Sequence, residues 1–217
     1  MGDLTGETIS QLVDRLARLP ASDRLSNPYA PADDPGASIR RANLIRYLTD
    51  MSRLKPNALL LAEAPGYRGC ALSGIPITSE RIMLRGIEKW GLFGDGYRPT
   101  SGRPQGVAEM TASILWSALI KYADKPPVLW NTVPLHPHQP GDLLSNRTPS
   151  AEEQRMGATF IADILALYEI DRVLAVGRTA QRALDRLGYA YIPLRHPAQG
   201  GKAKFVEGLR AALASPA

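Results

Sequence analysis

The sequence predicts an α/β protein built on a parallel sheet, and three observations carry that expectation. Residues 57–62, 128–131 and 172–176 are short, continuous apolar runs. Their length and composition suit strands buried on both faces. The longer segments around them repeat apolar residues at the three-and-four spacing of an amphipathic helix. The two kinds of segment alternate, and within one sheet that demands crossover helices and parallel strands.

The elements follow in order. Residues 8–19 place Ile9, Leu12, Val13, Leu16 and Leu19 on one helical face, and Pro20 ends the run. Residues 20–36, rich in Pro, Asp, Ser and Asn, read as a surface loop. Residues 1–36 are accordingly expected to be a peripheral extension of a single domain spanning 1–217. Residues 39–54 form a second helix, with Ile39, Ala42, Ile45 and Leu48 as its stripe. The strand at 57–62 is stopped by Pro65-Gly66. Residues 80–90 read as a helix and 91–106 as an irregular loop with five glycines and two prolines, carrying Arg98 and Arg103. A helix over 107–122 leads to the strand 128–131 and then to a proline-punctuated loop, 134–149. Ser150 with Glu153 three residues on is a capping box, opening a helix that reaches Tyr168. The strand 172–176 turns at Gly177 into a helix over 179–187. A strand at 190–194 and a helix over 201–213 complete the pattern.

Composition narrows the class. A chain of 217 residues, 44% hydrophobic and 22% charged, can bury the core of one large domain. No apolar run is long enough to span a bilayer, and the N-terminus lacks a secretory pattern, so no membrane partner and a cytoplasmic location are expected. The single cysteine, Cys70, cannot by itself form an internal disulfide, an iron–sulfur site or a cysteine-based zinc site. No metal and no cofactor are expected. The net charge of +5 permits binding to a nucleic-acid backbone without requiring it.

Open parallel sheets bind ligands just past the carboxyl ends of their strands. Three polar residues fall there. Glu63 follows the first apolar run, where a carboxylate could polarise water or simply make a surface ion pair. Asn131 ends the second run. One amide can meet both a carbonyl and a ring N–H, which would accept uracil and refuse cytosine, although a turn-forming role is open. His196 follows the last strand, and its imidazole could donate to an oxygen gaining charge as a base departs. Pro65-Gly66 would let backbone approach a ligand closely, or be an ordinary turn. Ser73, Gly74 and Thr78, in Ser73-Gly74-Ile75-Pro76-Ile77-Thr78-Ser79, lead into a helix start that suits phosphate or plain capping. Arg195 beside His196, with Gly200, Gly201 and Lys202 after it, gives a positive loop suited to a DNA backbone. His136 and His138 form a His-x-His pair without an evident third metal ligand, which favours phosphate contact or a structural role over metal binding.

Taken together, Ala62-Glu63-Ala64-Pro65-Gly66, then Ser73-Gly74-Ile75-Pro76-Ile77-Thr78, then Asn131, then Asn146-Arg147-Thr148-Pro149, then His196-Pro197 resemble the uracil-DNA glycosylase superfamily. The likeness covers about residues 57–210 and is strongest to the branch whose first motif reads Gly-Glu-Ala-Pro-Gly. It implies a three-layer α/β/α sandwich around a four-stranded parallel sheet. It also implies hydrolysis of the N-glycosidic bond of uracil flipped out of single- or double-stranded DNA, leaving an abasic product, with no metal at the reacting centre and the protein acting as a monomer. By correspondence, His196 stabilises the departing base, Glu63 lies in the water-positioning motif, and Asn131, Ala64, Gly66, Tyr67 and Ile77 surround the base.

The chain departs from that pattern in several places. It lacks the four cluster-binding cysteines of that branch. Ala64 stands where the best-known branch has its water-activating aspartate, which leaves Glu63 or a remote acid such as Asp142. Gly66 replaces a tyrosine that excludes the thymine methyl. Ile77 stands where the stacking aromatic is expected and stacks poorly; Tyr67 or Trp130 could substitute, though on a regular strand Trp130 would point away from Asn131. Two other readings stay open: a binder of uracil or abasic DNA with little turnover, and a glycosylase for another deaminated base such as hypoxanthine or xanthine.

Overall fold

A computed structural model of the chain describes residues 4–31 and 34–214. In chain order it holds α1 (Leu4–Ala17), β1 (Leu25–Ser26), α2 (Gly36–Leu54), β2 (Ala58–Ala62), α3 (Cys70–Ser73), α4 (Glu80–Arg85), α5 (Met110–Tyr122), β3 (Val128–Asn131) and β4 (His136–Pro137). It continues with α6 (Ala151–Leu167), β5 (Arg172–Val176), α7 (Gly177–Leu187), β6 (Ile192–Leu194) and α8 (Lys202–Ala214). Four strands form one parallel sheet in the order β3-β2-β5-β6. Every residue of β2 and β3 is buried, so helices cover both faces. This is the α/β/α arrangement that the alternating pattern predicts. One group of helices packs α1 on α2 and α6, and another packs α5 on α8.

The register fixes what the sheet presents. Ala62 pairs with Asn131, Leu61 with Ala175, and Val176 with Leu194. The strands therefore end nearly level. Glu63, Asn131, Gly177 and Arg195-His196 all emerge along one edge.

Four local expectations need correction. Among the described residues of 1–36, the segment expected to be peripheral reaches the main core: Ile9, Leu12, Val13 and Leu16 are at most 2% exposed. Within them, β1 pairs antiparallel with β4, Leu25 opposite Pro137 and Ser26 opposite His136. Pairs of two residues are too short to leave a period in the sequence. The helix expected over 80–90 ends at Arg85, because Gly86 takes a left-handed φ of 74°, and a 3-10 turn follows at Glu88–Trp90. The helix expected from 107 begins at Met110. Glu109 stays extended and its carboxylate accepts from the backbone N–H of Thr111 and Ala112. The capping box at Ser150 and Glu153 forms as expected.

The irregular loop 91–106 is ordered by a buried acid. The Glu80 carboxylate accepts from the backbone of Thr100 (2.6 Å), Ser101 (2.9 Å) and Val107 (3.0 Å), and from the Ser101 hydroxyl (2.5 Å). A fully buried carboxylate is tolerable only with such a set of donors. At the carboxyl edge of the sheet, α6 lies hard against the exit of β3. A Cβ on Gly157 would fall 1.8 Å from the Thr132 carbonyl oxygen, so only glycine permits this approach.

Candidate active site

Beyond their last paired residues, β2 and β3 stay tied together. Thr132 N–H donates to the Ala62 carbonyl (2.7 Å) and Val133 N–H to that of Glu63 (3.0 Å). This holds Glu63 and Asn131 side by side over a cavity of about 230 Å³ at the carboxyl edge of the sheet. Residues 62–66 form one wall. Cys70, Ile77 and Thr78 line it too, as do Asn131, Glu109, Thr111, Arg147 and His196.

Asn131 is 2% exposed, and its Oδ1 has no hydrogen-bond partner. A buried carbonyl oxygen without a donor is costly, and the Asn131 side chain that carries it lines the cavity. The Cys70 thiol lines the same cavity, and burial pushes its pKa up to about 12, so the sulfur stays neutral. Tyr29 completes the support. Its hydroxyl lies 3.6 Å from the Cys70 sulfur and donates to the Gly74 carbonyl at 3.0 Å.

His196 is half-buried at the opposite side. Ala198 N–H donates to its Nδ1 at 3.1 Å. In the neutral ring the proton is therefore on Nε2, which makes that atom a donor. Burial holds the imidazole pKa below its ordinary value; the carboxylates of Glu63 and Glu109 pull it up and Arg195 pushes it down. The ring lies along Gly177, whose added Cβ would come 3.6 Å from His196 Cβ. Its backbone is pressed by Gly201, where a Cβ would fall 2.0 Å from the His196 carbonyl oxygen. One glycine thus leaves room for the His196 side chain and the other for its backbone.

Two acids reach the cavity. Glu63 accepts a hydrogen bond from Thr179 Oγ1, in the first turn of α7. Glu109 caps α5, its Oε1 accepting from Thr111 N–H (2.8 Å) and its Oε2 from Ala112 N–H (2.6 Å). Asp142 is exposed and caps its own loop, so it is not the remote acid that the sequence suggests.

Several expected site residues lie elsewhere. Ser73 is fully buried and its hydroxyl bonds the carbonyls of Ile75 and Thr78, so it cannot offer that group to phosphate. Thr78 donates to Pro76 and accepts from Trp116 Nε1 (3.2 Å). Gly74 is buried, at φ 76°, against the backbone of Arg40. These three hold the cavity wall rather than DNA. Ala64, Gly66 and Ile77 do line the cavity. Ile77 adopts a left-handed φ of 52°, a strained state for a β-branched residue. Tyr67 lines the adjoining groove with Met110 and Asn146, and its N–H donates to Asn146 Oδ1 at 3.1 Å. Trp130 is in the core, 1% exposed, and stacks on nothing in the cavity.

His136 and His138 are buried. His136 Nδ1 lies 2.7 Å from the Pro65 carbonyl, bracing the first motif from behind. Among the described residues no three His, Cys, Asp or Glu side chains gather as metal ligands. Gly200 and Lys202 border a separate groove with Tyr122 and Arg210. Arg195 borders a third groove, which shares Glu63 and His196 with the cavity and is flanked by Arg178 and Arg182. Reading the residues alone missed Glu109, Thr111 and Thr179. The one available signal was an acid just ahead of an apolar helix, the mark of an N-cap.

The fold and cavity define an α/β protein with a small cavity at the carboxyl edge of its sheet, lined by Glu63, Asn131 and His196, beside a cationic groove. The model of the uracil DNA glycosylase superfamily matches residues 49–209, and the chain belongs to that family. Its class is therefore DNA glycosylase, acting on DNA. Among solved structures the chain is similar in fold to wild-type SMUG2 of Pedobacter heparinus, with a TM-score of 0.68 and 15% identity over 96% of each chain. No curated protein matches the chain.

Proposed function

We propose that this protein hydrolyses the N-glycosidic bond of uracil flipped out of DNA, releasing uracil and leaving an abasic site. The observation that carries this reading is the unpartnered, buried Oδ1 of Asn131, facing the same cavity as His196. That oxygen asks for a ring N–H such as the N3–H of uracil. A volume of about 230 Å³ supports a single base as occupant; it falls below the roughly 300–1,000 Å³ of pockets for larger ligands.

The steps follow from the geometry. The duplex releases the base at a cost of a few kcal/mol, least when the base is mispaired. Arg178, Arg182 and Arg195 border the groove beside the cavity, where they would hold backbone phosphates. Asn131 meets the base edge. As the bond to the sugar breaks, the electron pair leaves with uracil, and the Nε2–H of neutral His196 donates to the oxygen that gains charge. One such donor is worth about 2.7–4 kcal/mol. The sugar cation, favoured by the nearby carboxylates, then captures water.

The test is incubation with uracil in single-stranded and mismatched DNA, followed by alkali. Strand scission is expected, with His196→Ala slowing single-turnover excision roughly 10²–10³-fold while DNA affinity is kept. Tight binding without scission would instead make the protein a lesion binder. Scission only at hypoxanthine or xanthine would move the substrate to a deaminated purine.

A further inference from the structure

The reaction needs a group that holds the attacking water, and Ala64, in the first motif, offers none. We propose that Glu109 is that group, the general base for water; this rests on the glycosidase reading above. Glu109 lines the cavity together with Ala64, Asn131 and His196. Its carboxylate acts on the His196 imidazole electrostatically, favouring positive charge there. The same field favours a sugar cation.

Glu109 is also held in place. Two backbone N–H groups of α5 fix its oxygens at 2.8 and 2.6 Å, and each oxygen keeps a lone pair for water. Gly69 packs on its stem, where an added Cβ would lie 3.4 Å from Glu109 Cγ. A carboxylate anchored in this way loses no rotamer freedom when water binds. Glu63, the other acid of the cavity, also borders the cationic groove that would hold backbone phosphates.

The step balances without a co-reactant. The C1′–N1 bond breaks, and both electrons leave with uracil. A water lone pair forms the new C1′–O bond. The water proton passes to Glu109 and then to solvent, while the uracil anion takes a proton from solvent.

Two variants separate this role from helix capping. Glu109→Ser keeps an N-cap hydroxyl; Glu109→Gln keeps the shape and loses the base. Single-turnover excision should fall about 100-fold or more in both. Affinity for uracil DNA should stay within about twofold. Thermal melts report folding, and Glu109→Gln carries the test if the serine variant unfolds. Excision in either folded variant within twofold of the unsubstituted protein overturns the assignment, as does loss confined to Glu63→Gln. Failure of the unsubstituted protein to excise any base would sink the glycosidase reading itself, a separate outcome.

Discussion

Replacing Gly201 by alanine should damage catalysis without touching a catalytic side chain. The added methyl would stand 2.0 Å from the His196 carbonyl oxygen and 3.0 Å from that of Ala198, where ordinary contact begins at 3.4 Å. Both neighbours are backbone, so no flexible side chain can swing aside. The segment 196–201 must open by more than an ångström, and His196 is at its head. Displacing a reacting group by about 1 Å costs on the order of 10²-fold in rate. Losing the donor altogether costs about 10²–10³-fold. Overpacking should lower stability by about 1–3 kcal/mol. The assay is single-turnover excision of uracil from DNA alongside a thermal melt. Gly200→Ala is the control. Nothing lies within 4 Å of its added Cβ, and its φ of 72° should cost about 1–2 kcal/mol of backbone strain while leaving His196 in place. A Gly201→Ala protein that excises at the unsubstituted rate would refute this account of how His196 is positioned.

Other perturbations give separate checks. Burial lowers the pKa of both His136 and His196, so between the ordinary value of about 6.5 and the lower folded values the unfolded chain binds more protons. Stability is then complete above about pH 6.5 and falls as pH drops below it, by at most about 1.4 kcal/mol per pH unit per histidine. Urea melts from pH 7.5 to 5.5 test the sign, and a flat profile contradicts it. Gly157→Ala drives a methyl into the Thr132 carbonyl and should lower Tm by several degrees, at about 2–4 °C per kcal/mol; an unchanged Tm would show that α6 can retreat freely. Ile77→Phe places an aromatic ring at the cavity wall. Stacking worth about 1–3 kcal/mol should tighten uracil binding by roughly 5–100-fold in calorimetry, and weaker binding would show that Ile77 does not face the base.

The sheet could be read from the chain because its strands are buried on both faces. Such strands must be continuous apolar runs, and β2, β3 and β5 lie where those runs lie. The longest helices could be read for a related reason, since one apolar face leaves a period and the Ser150–Glu153 box marks a start. Glu63, Asn131 and His196 were found because the ends of parallel strands fall along one edge. What failed was local or long-range. The breaks at Gly86 and Glu109 depend on single residues whose conformation the tertiary contacts choose. The pairing of β1 with β4 joins segments more than a hundred residues apart.

By itself, then, the sequence determined the alternation of strands and helices, the family, and which residues stand at the active edge, because each rests on spacing along the chain. Only the tertiary structure decided which hydroxyls are consumed internally, as at Ser73 and Thr78, and that Tyr67 and Trp130 do not line the cavity. It also brought Glu109 from a separate segment to face His196, and left Asn131 Oδ1 without a partner. Hydrogen-bond partners and close approach are properties of three-dimensional neighbours, and no spacing along the chain encodes them.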